Sequence, residues 1–444
     1  MSSRSQIWLL LAMLQGSGVV LAQDIGPAAE YETVVAADTD QSPNFPLRRG
    51  PASPEVRIQE SEANEQAAGF LRRETMLGPW FDYKRKLRDE KGIGFGGGAT
   101  LLYQNYSDSL VDENDALGSK IDLNGVYELF RRGTDEVGTF NISLESRNRV
   151  LTDLSPAEAG AASGALNPTA VTYSNDELGI KQFFWQQNLF DNRFQYAAGR
   201  LFSPNYVDPY PLTNDNRYIV SYDLGINPTI PYPKSGLGAV GLVYLDDSAY
   251  VGGGLLNANG SYSGNDFSSF IQDNEYFYFM ELGATKNARK PVPFSTDRIT
   301  NLDKISLTLW YKDDQKSRQI DDSWGAGFTA HALLTERYFG FVRAGWSDGD
   351  ATTTDAYVSS GVLIRPPTTV SDVLGLTASY LHPSKSVRRN FEDSDNQLTT
   401  EIFYRFHITP HLALTPHVQY IVEPVRNPDD SSLVVLGARV RLTF

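Results

Sequence analysis

The residue types that usually carry chemistry are sparse in this chain, and most fail on spacing. Cysteine is absent, which excludes disulfides, thiolate metal sites and Cys nucleophiles. His407 and His411 stand four apart, but Thr409-Pro410 reads as a turn between them, so helical zinc spacing does not apply. The run Gly94-Phe95-Gly96-Gly97-Gly98-Ala99 superficially matches a dinucleotide fingerprint. It follows a helix and opens a strand, the reverse of the required order, so its glycines serve a bend or leave room for the helix. Asp348, Asp350 and Asp355 share a loop without the ligand spacing or terminal Glu of an EF-hand, and read as a solvated acidic loop. No metal or cofactor is expected. What remains is charged, amide and aromatic side chains at alternate positions: Glu401, Phe403 and Arg405, then His417 and Gln419, then Arg439 and Arg441. Side chains so arranged bind a polar solute weakly and release it again.

Those positions belong to a period of two. Leu436, Ala438, Val440, Leu442 and Phe444 alternate with Gly437, Arg439, Arg441 and Thr443. Ile402, Tyr404, Phe406 and Ile408 alternate with Glu401, Arg405 and His407, and Phe140, Ile142 and Leu144 with Asn141, Ser143, Glu145 and Arg147. A face carrying both Arg and Glu cannot be the core of a soluble sandwich; it fits a polar lumen whose opposite face meets lipid. The alternation predicts strands at 94–105, 119–131, 138–149, 178–189, 194–201, 217–224, 237–248, 274–284, 303–311, 324–334, 338–346, 356–364, 373–381, 398–408, 412–422 and 433–444. Connections alternate between long and short, as external loops and periplasmic turns do: 150–177 is far longer than 190–193, and 382–397 longer than 409–411. The fold class is therefore all-β, a transmembrane antiparallel barrel of sixteen strands, wide enough for an aqueous channel. Two places strain the pattern. The strand at 217–224 alternates poorly, and the turn at 285–302 is long for the periplasmic side.

The rest of the chain agrees. Among 444 residues, 39 Lys and Arg against 54 Asp and Glu give a net charge of −15, which argues against nucleic acid. Residues 1–22 read as a signal peptide: Arg4, an apolar core at 7–14, and Val20-Leu21-Ala22 before the cleavage point. Residues 23–75, rich in Pro, Ala, Ser and Glu, read as a flexible periplasmic linker with a weak helix within 59–75. Residues 76–92 read as a short periplasmic helix, with Pro79 in its first turn, Trp80, Tyr83 and Leu87 on one face, and Gly92 at its end. Residues 93–444 form the barrel domain.

The stretch Glu401–Phe406, then Leu412-Ala413-Leu414-Thr415-Pro416-His417-Val418-Gln419-Tyr420-Ile421, then the Pro428 loop and last strand, resembles the OprB-type carbohydrate-selective porins. So does Trp80 ahead of a basic helix running to Lys91-Gly92-Ile93. The resemblance spans about 78–444, and Thr415-Pro416 with Gln419-Tyr420 is its most specific part. It departs at Gly78-Pro79-Trp80-Phe81-Asp82, where that family usually has Gly-Asp-Trp-Gly-Gly. The resemblance implies a monomeric outer-membrane barrel, among lipid and lipopolysaccharide, that passes small sugars by facilitated diffusion.

A sugar offers hydroxyls to forked donors and C–H faces to aromatic rings. By parity the inward positions include Glu128, Glu145, Arg147, Glu281, Trp310, Arg343, Glu401, Phe403, Arg405, His417, Gln419, Arg439 and Arg441. Glu401, Phe403 and Arg405, near Arg439 and Arg441, form the favoured selective wall. Trp310 is the favoured stacking ring, because Ile305, Leu307, Leu309 and Tyr311 take the other face. The competing reading is that these are ordinary lumen charges paired with one another. A general or carboxylate-preferring porin and a plugged barrel acting as a surface receptor are the alternatives in function. An enzyme is not expected: His331, His407 and His417 fall inward and His382 and His411 at strand ends, leaving no lipid-facing base.

Overall fold

The structure, a computed structural model, describes residues 53–64, 69–71, 75–134, 136–191, 193–262, 266–285, 303–335, 337–366, 372–391 and 396–444. In lipid every backbone donor and acceptor must find a partner within the protein, and a sheet meets that demand by closing on itself. Sixteen antiparallel strands do so here. They are β1 (Ile93–Tyr106), β2 (Asp115–Phe130), β3 (Gly138–Arg149), β4 (Gly179–Leu189), β5 (Phe194–Leu201), β6 (Gly236–Tyr244), β7 (Ala249–Asn257) and β8 (Tyr276–Thr285). They continue as β9 (Lys304–Lys312), β10 (Ser323–Thr335), β11 (Tyr338–Asp348), β12 (Thr354–Ile364), β13 (Val373–Pro383), β14 (Gln397–Thr409), β15 (Leu412–Val422) and β16 (Ser432–Thr443). Each strand pairs with its sequence neighbours, and β1 closes on β16 in a register running from Gly98 opposite Thr443 to Tyr106 opposite Val435.

The period-two pattern sorts side chains as expected. On β9, Ile305, Leu307, Leu309 and Tyr311 face outward, while Ser306, Thr308, Trp310 and Lys312 are buried inside. On β15, Val418 and Tyr420 face outward and Thr415, His417, Gln419 and Ile421 inward. Outward aromatic pairs such as Trp324 with Trp346, edge to face at 4.8 Å, belong to the rim girdles of a membrane barrel.

The strand count is right, but through two compensating errors. Residues 217–224 are not a strand. They lie in the long β5–β6 connection, which folds into the barrel. Arg217, Tyr218, Ile219 and Val220 are all buried, so no alternation is visible there. The expected strand 237–248 ends at Tyr244. Asp246 Oδ1 accepts the N–H groups of Ser248 and Ala249, both at 2.7 Å, and turns the chain into β7. The glycines at 252–254 hid β7 by interrupting its alternation. Loop parity survives, since one strand was lost and one gained. The long turn noted at 285–302 lies almost wholly outside the described residues, as do residues 1–52.

Two helices precede the barrel. Helix α1 (Pro54–Asn64) begins earlier than the weak helix expected within 59–75, and Arg57, Ile58, Gln59, Ser61 and Glu62 are buried. Helix α2 (Gly78–Lys91) carries Pro at its first turn and ends on Gly92 in the left-handed conformation, with φ 71°.

Ile402 faces lipid midway along β14, opposite Leu376 and Val418. Ile402→Lys is expected to destabilise the folded barrel by about 2–4 kcal/mol, the cost of a cation near the bilayer midplane. Denaturant titration in lipid vesicles measures it, and an unchanged midpoint would contradict the outward assignment.

Candidate functional site in the barrel lumen

The β5–β6 connection, residues 202–235, crosses the lumen and is tied to several walls of the barrel. Its acidic side chains reach the basic ones of the strands. Asp208 Oδ2 accepts from Arg343 Nη2 at 2.6 Å and Asp208 Oδ1 from Thr329 at 2.6 Å, linking the loop to β10 and β11. Both side chains of the Asp208–Arg343 pair are 0% exposed. Asp215 accepts from Lys120 of β2 at 2.8 Å, with Thr172 on the same carboxylate. Across β1 from β2, Arg439 of β16 donates to the Asp215 and Tyr218 carbonyls at 2.5 and 2.8 Å.

Glu401 of β14 acts like a cap for this loop. One carboxylate oxygen accepts the Val220 N–H at 2.9 Å and the other the Ser221 N–H at 2.7 Å, with Gln419 adding a bond at 3.3 Å. Backbone donors buried without partners would cost about 1–3 kcal/mol each, so the carboxylate meets a real need. Asn227 Nδ2 donates to the Ala344 carbonyl at 3.0 Å and Lys304 Nζ to the Pro209 carbonyl at 3.0 Å. Asp223, bonded by Ser379 at 2.7 Å, lies so deep that burial pushes its carboxyl up to about 6.

Apolar side chains complete the seating. Tyr210, Leu212, Ile219 and Leu224 of the loop pack with Phe339, Phe341 and Phe403 of the wall. Trp310 stacks on Phe277 with centroids 6.1 Å apart, in a cluster with Val207 and Ile230 of the loop. Its ring is thus covered by the loop.

The other sequence-predicted residues fall into two groups. On the external half, Glu145 accepts from Lys181 at 3.0 Å and Arg147 at 2.6 Å, and the Arg147 guanidinium lies 4.4 Å from the Tyr262 ring centroid. Elsewhere, Arg441 holds both oxygens of Asp122, at 2.6 and 3.1 Å, and Thr100 at 2.8 Å. Glu281 accepts from Tyr250 at 2.6 Å, Thr308 at 2.9 Å and Lys304 at 2.9 Å. Arg405 lies 3.0 Å from His407 Nε2, and Glu128 pairs with Arg132 at 3.6 Å near the periplasmic end of β2. His411 stacks on Phe81, with ring centroids 4.9 Å apart. The acids of the 348–355 loop are not simply solvated: Asp348, Asp350 and Asp355 pair with Lys385, Arg389 and Arg388.

Sequence reasoning missed Asp208, Asp215, Asp122, Lys120 and Lys181. Lys120 and Asp122 were available from parity, because they flank Ile121 on β2. Lys181 was not, since it and its neighbour Gln182 are both buried at a register shift in β4. The two loop acids carried no local signal, since only the folded connection brings them to their cations.

Arg343→Ala leaves Asp208 buried without its cation and is expected to cost about 3–5 kcal/mol. Adding Asp208→Asn should recover much of that loss, a coupling that urea unfolding of the single and double variants measures.

The comparisons with known proteins now bear on this geometry. A family described as carbohydrate-selective porin, OprB family, matches residues 132–444. The fold is similar to the high-pH structure of Pseudomonas putida OprB, at 14% identity and a TM-score of 0.61, covering 85% of this chain and 100% of that chain. The low-pH structure of the same protein gives a TM-score of 0.48 at 14% identity, covering 83% and 98%. A triple mutant of Rhodopseudomonas blastica porin gives 0.47 at 12% identity, covering 79% and 100%. No curated protein sequence matches the chain. A closed sixteen-stranded barrel with a polar interior and a family match over most of its length leaves one reading. The chain belongs to the OprB family of carbohydrate-selective porins, outer-membrane channels rather than enzymes.

Proposed function

We propose that small carbohydrates cross this barrel by passive, facilitated diffusion, at a bore set by the inward-folded connection 202–235. The observation that carries this reading is the polar, ion-paired lumen of a closed sixteen-stranded barrel, crossed by that connection. Such a pore needs no energy source; it needs a bore and side chains that hold solute weakly.

The predicted wall takes two roles in this reading. Arg343, Glu401, Arg439 and Arg441 hold the bore, the first three through the inner loop and the last through Asp122 of β2. Arg147 and Lys181, both paired with the Glu145 carboxylate, set charged donors beside the Tyr262 ring on the external side, the combination that sugar hydroxyls and C–H faces use. Glu281, Trp310, Phe403, Arg405 and Gln419 complete the wall. The chain works as a monomer among outer-membrane lipid and lipopolysaccharide, after a signal peptide of residues 1–22 is removed.

Liposome swelling with purified protein tests the proposal, comparing neutral mono- and oligosaccharides with size-matched amino acids and carboxylates. Faster sugar entry is the expected result. Losing the Arg147–Tyr262 patch in Tyr262→Ala, worth about 1 kcal/mol, should slow sugars by about fivefold and spare size-matched amino acids. Equal rates for all solutes of one size would reduce the protein to a general porin, preferential carboxylate entry would make it an anion channel, and no swelling would favour the receptor.

A further inference from the structure

Helix α1 lies outside the family match, which begins at residue 132, yet it is built into the barrel. One side of it rests on the wall of β1. The inward positions on the first half of that strand are Gly94, Gly96 and Gly98, so the wall there is bare of side chains. A Cβ added at Gly96 would stand 3.0 Å from Ser61 Oγ and 3.4 Å from the Ile58 Cα. A side chain here would be tight against the helix, so glycine eases the close approach of helix and strand. Within the glycine run that mimics a nucleotide motif, Gly96 makes room for α1, while Gly98 lies against Arg441.

The other side of α1 meets the inner loop, where Arg57 Nη1 donates to Asn214 Oδ1 at 2.8 Å in a buried bond. Its lower end is fastened to α2. Arg88 Nη1 donates to both oxygens of Glu62, at 2.9 and 2.7 Å, and Lys84 Nζ to Ser61 Oγ at 3.2 Å and the Phe444 carbonyl at 3.4 Å. Farther along the chain, the Phe70 and Leu71 N–H groups donate to the His407 and Ile408 carbonyls of β14, at 2.8 and 2.9 Å. Thr75 Oγ1 then meets His411 Nε2 at 2.6 Å, before α2 returns the chain to β1. The segment is thus bonded to the β14 end of the rim as well as to the wall at β1.

From this arrangement we infer that α1 is a second, fixed constriction of the pore: it narrows the periplasmic half of the lumen beside the inner loop and excludes larger saccharides. The inference deepens the porin reading and rests on it. A helix about 10 Å across occupies a large share of a sixteen-stranded lumen, so its presence is a matter of bore and not of trim. Among the described side chains of α1, Glu55 and Val56 are the half-buried ones, and the constriction reading turns them toward the remaining space.

Single-channel recording in planar bilayers tests it on the full chain. In one variant residues 53–64 are replaced by a Gly-Ser linker of equal length. Conductance should rise about twofold or more, with larger oligosaccharides admitted in swelling assays. The second variant, Val56→Cys, introduces the chain's sole thiol and keeps the helix. Modification by a bulky thiosulfonate should lower the current in a single step, a readout that stands even where the linker variant does not fold. Unchanged current after modification verified by mass, or an unchanged conductance in a folded linker variant while the parent conducts, would overturn the constriction and leave the porin reading standing. A parent and a variant that both fail to conduct would remove both.

Discussion

Everything in this molecule follows from the requirement that a backbone in lipid satisfy its own hydrogen bonds. The pairing of β1 with β16 meets it and removes the last sheet edge. Once the sheet is closed, each strand has one face toward hydrocarbon and one toward the interior, and the sequence must alternate accordingly. The same closure creates a difficulty, since sixteen strands enclose more space than their own side chains can fill. The protein answers with chain rather than with larger side chains, folding the β5–β6 connection into the lumen and setting α1 beside it.

A loop placed inside a barrel brings backbone N–H and C=O groups away from bulk water. It is stable there only if the wall supplies partners. Glu401 and Arg439 do so in complementary fashion, the carboxylate taking two N–H groups and the guanidinium serving two carbonyls. Asp208 with Arg343 and Asp215 with Lys120 then fix the loop by charge. A lumen wall rich in Arg and Glu is thus explained partly by architecture, and the charges that read as solute binders are in several cases structural fasteners.

The alternation made the barrel legible from residues alone, because lipid outside and polar interior impose opposite chemistry on adjacent positions. It failed where that contrast is lost. Residues 217–224 meet protein on every side, and in β7 the glycines present no side chain to either face. The candidate wall was legible as inward-facing for the same reason that the strands were. Its partners on the connection were not, because Asp208 and Asp215 reach their cations only through long-range folding, at sequence separations of 135 and 95. Helix α1 was hidden for another reason. Its composition is that of a solvated linker, and its burial rests on polar contacts with Asn214, Lys84 and Arg88 instead of an apolar stripe.

Polar fastening also suits a channel better than an apolar core would. An interior filled with leucine and phenylalanine would hold the loop equally well, but it would exclude water and with it any hydrated solute. Ion pairs and amide bonds can anchor the inner elements while their remaining surface stays compatible with water. The apolar clusters around Phe403 and Trp310 are confined to the contacts between loop and wall, where no solute needs to pass. Elsewhere the side chains that stabilise the fold and those that meet the solute are drawn from the same residue types. For that reason neither residue type nor burial alone separates them. One difference is what each guanidinium serves: Arg439 holds carbonyls of the inner loop, whereas Arg147 pairs with Glu145 beside the Tyr262 ring.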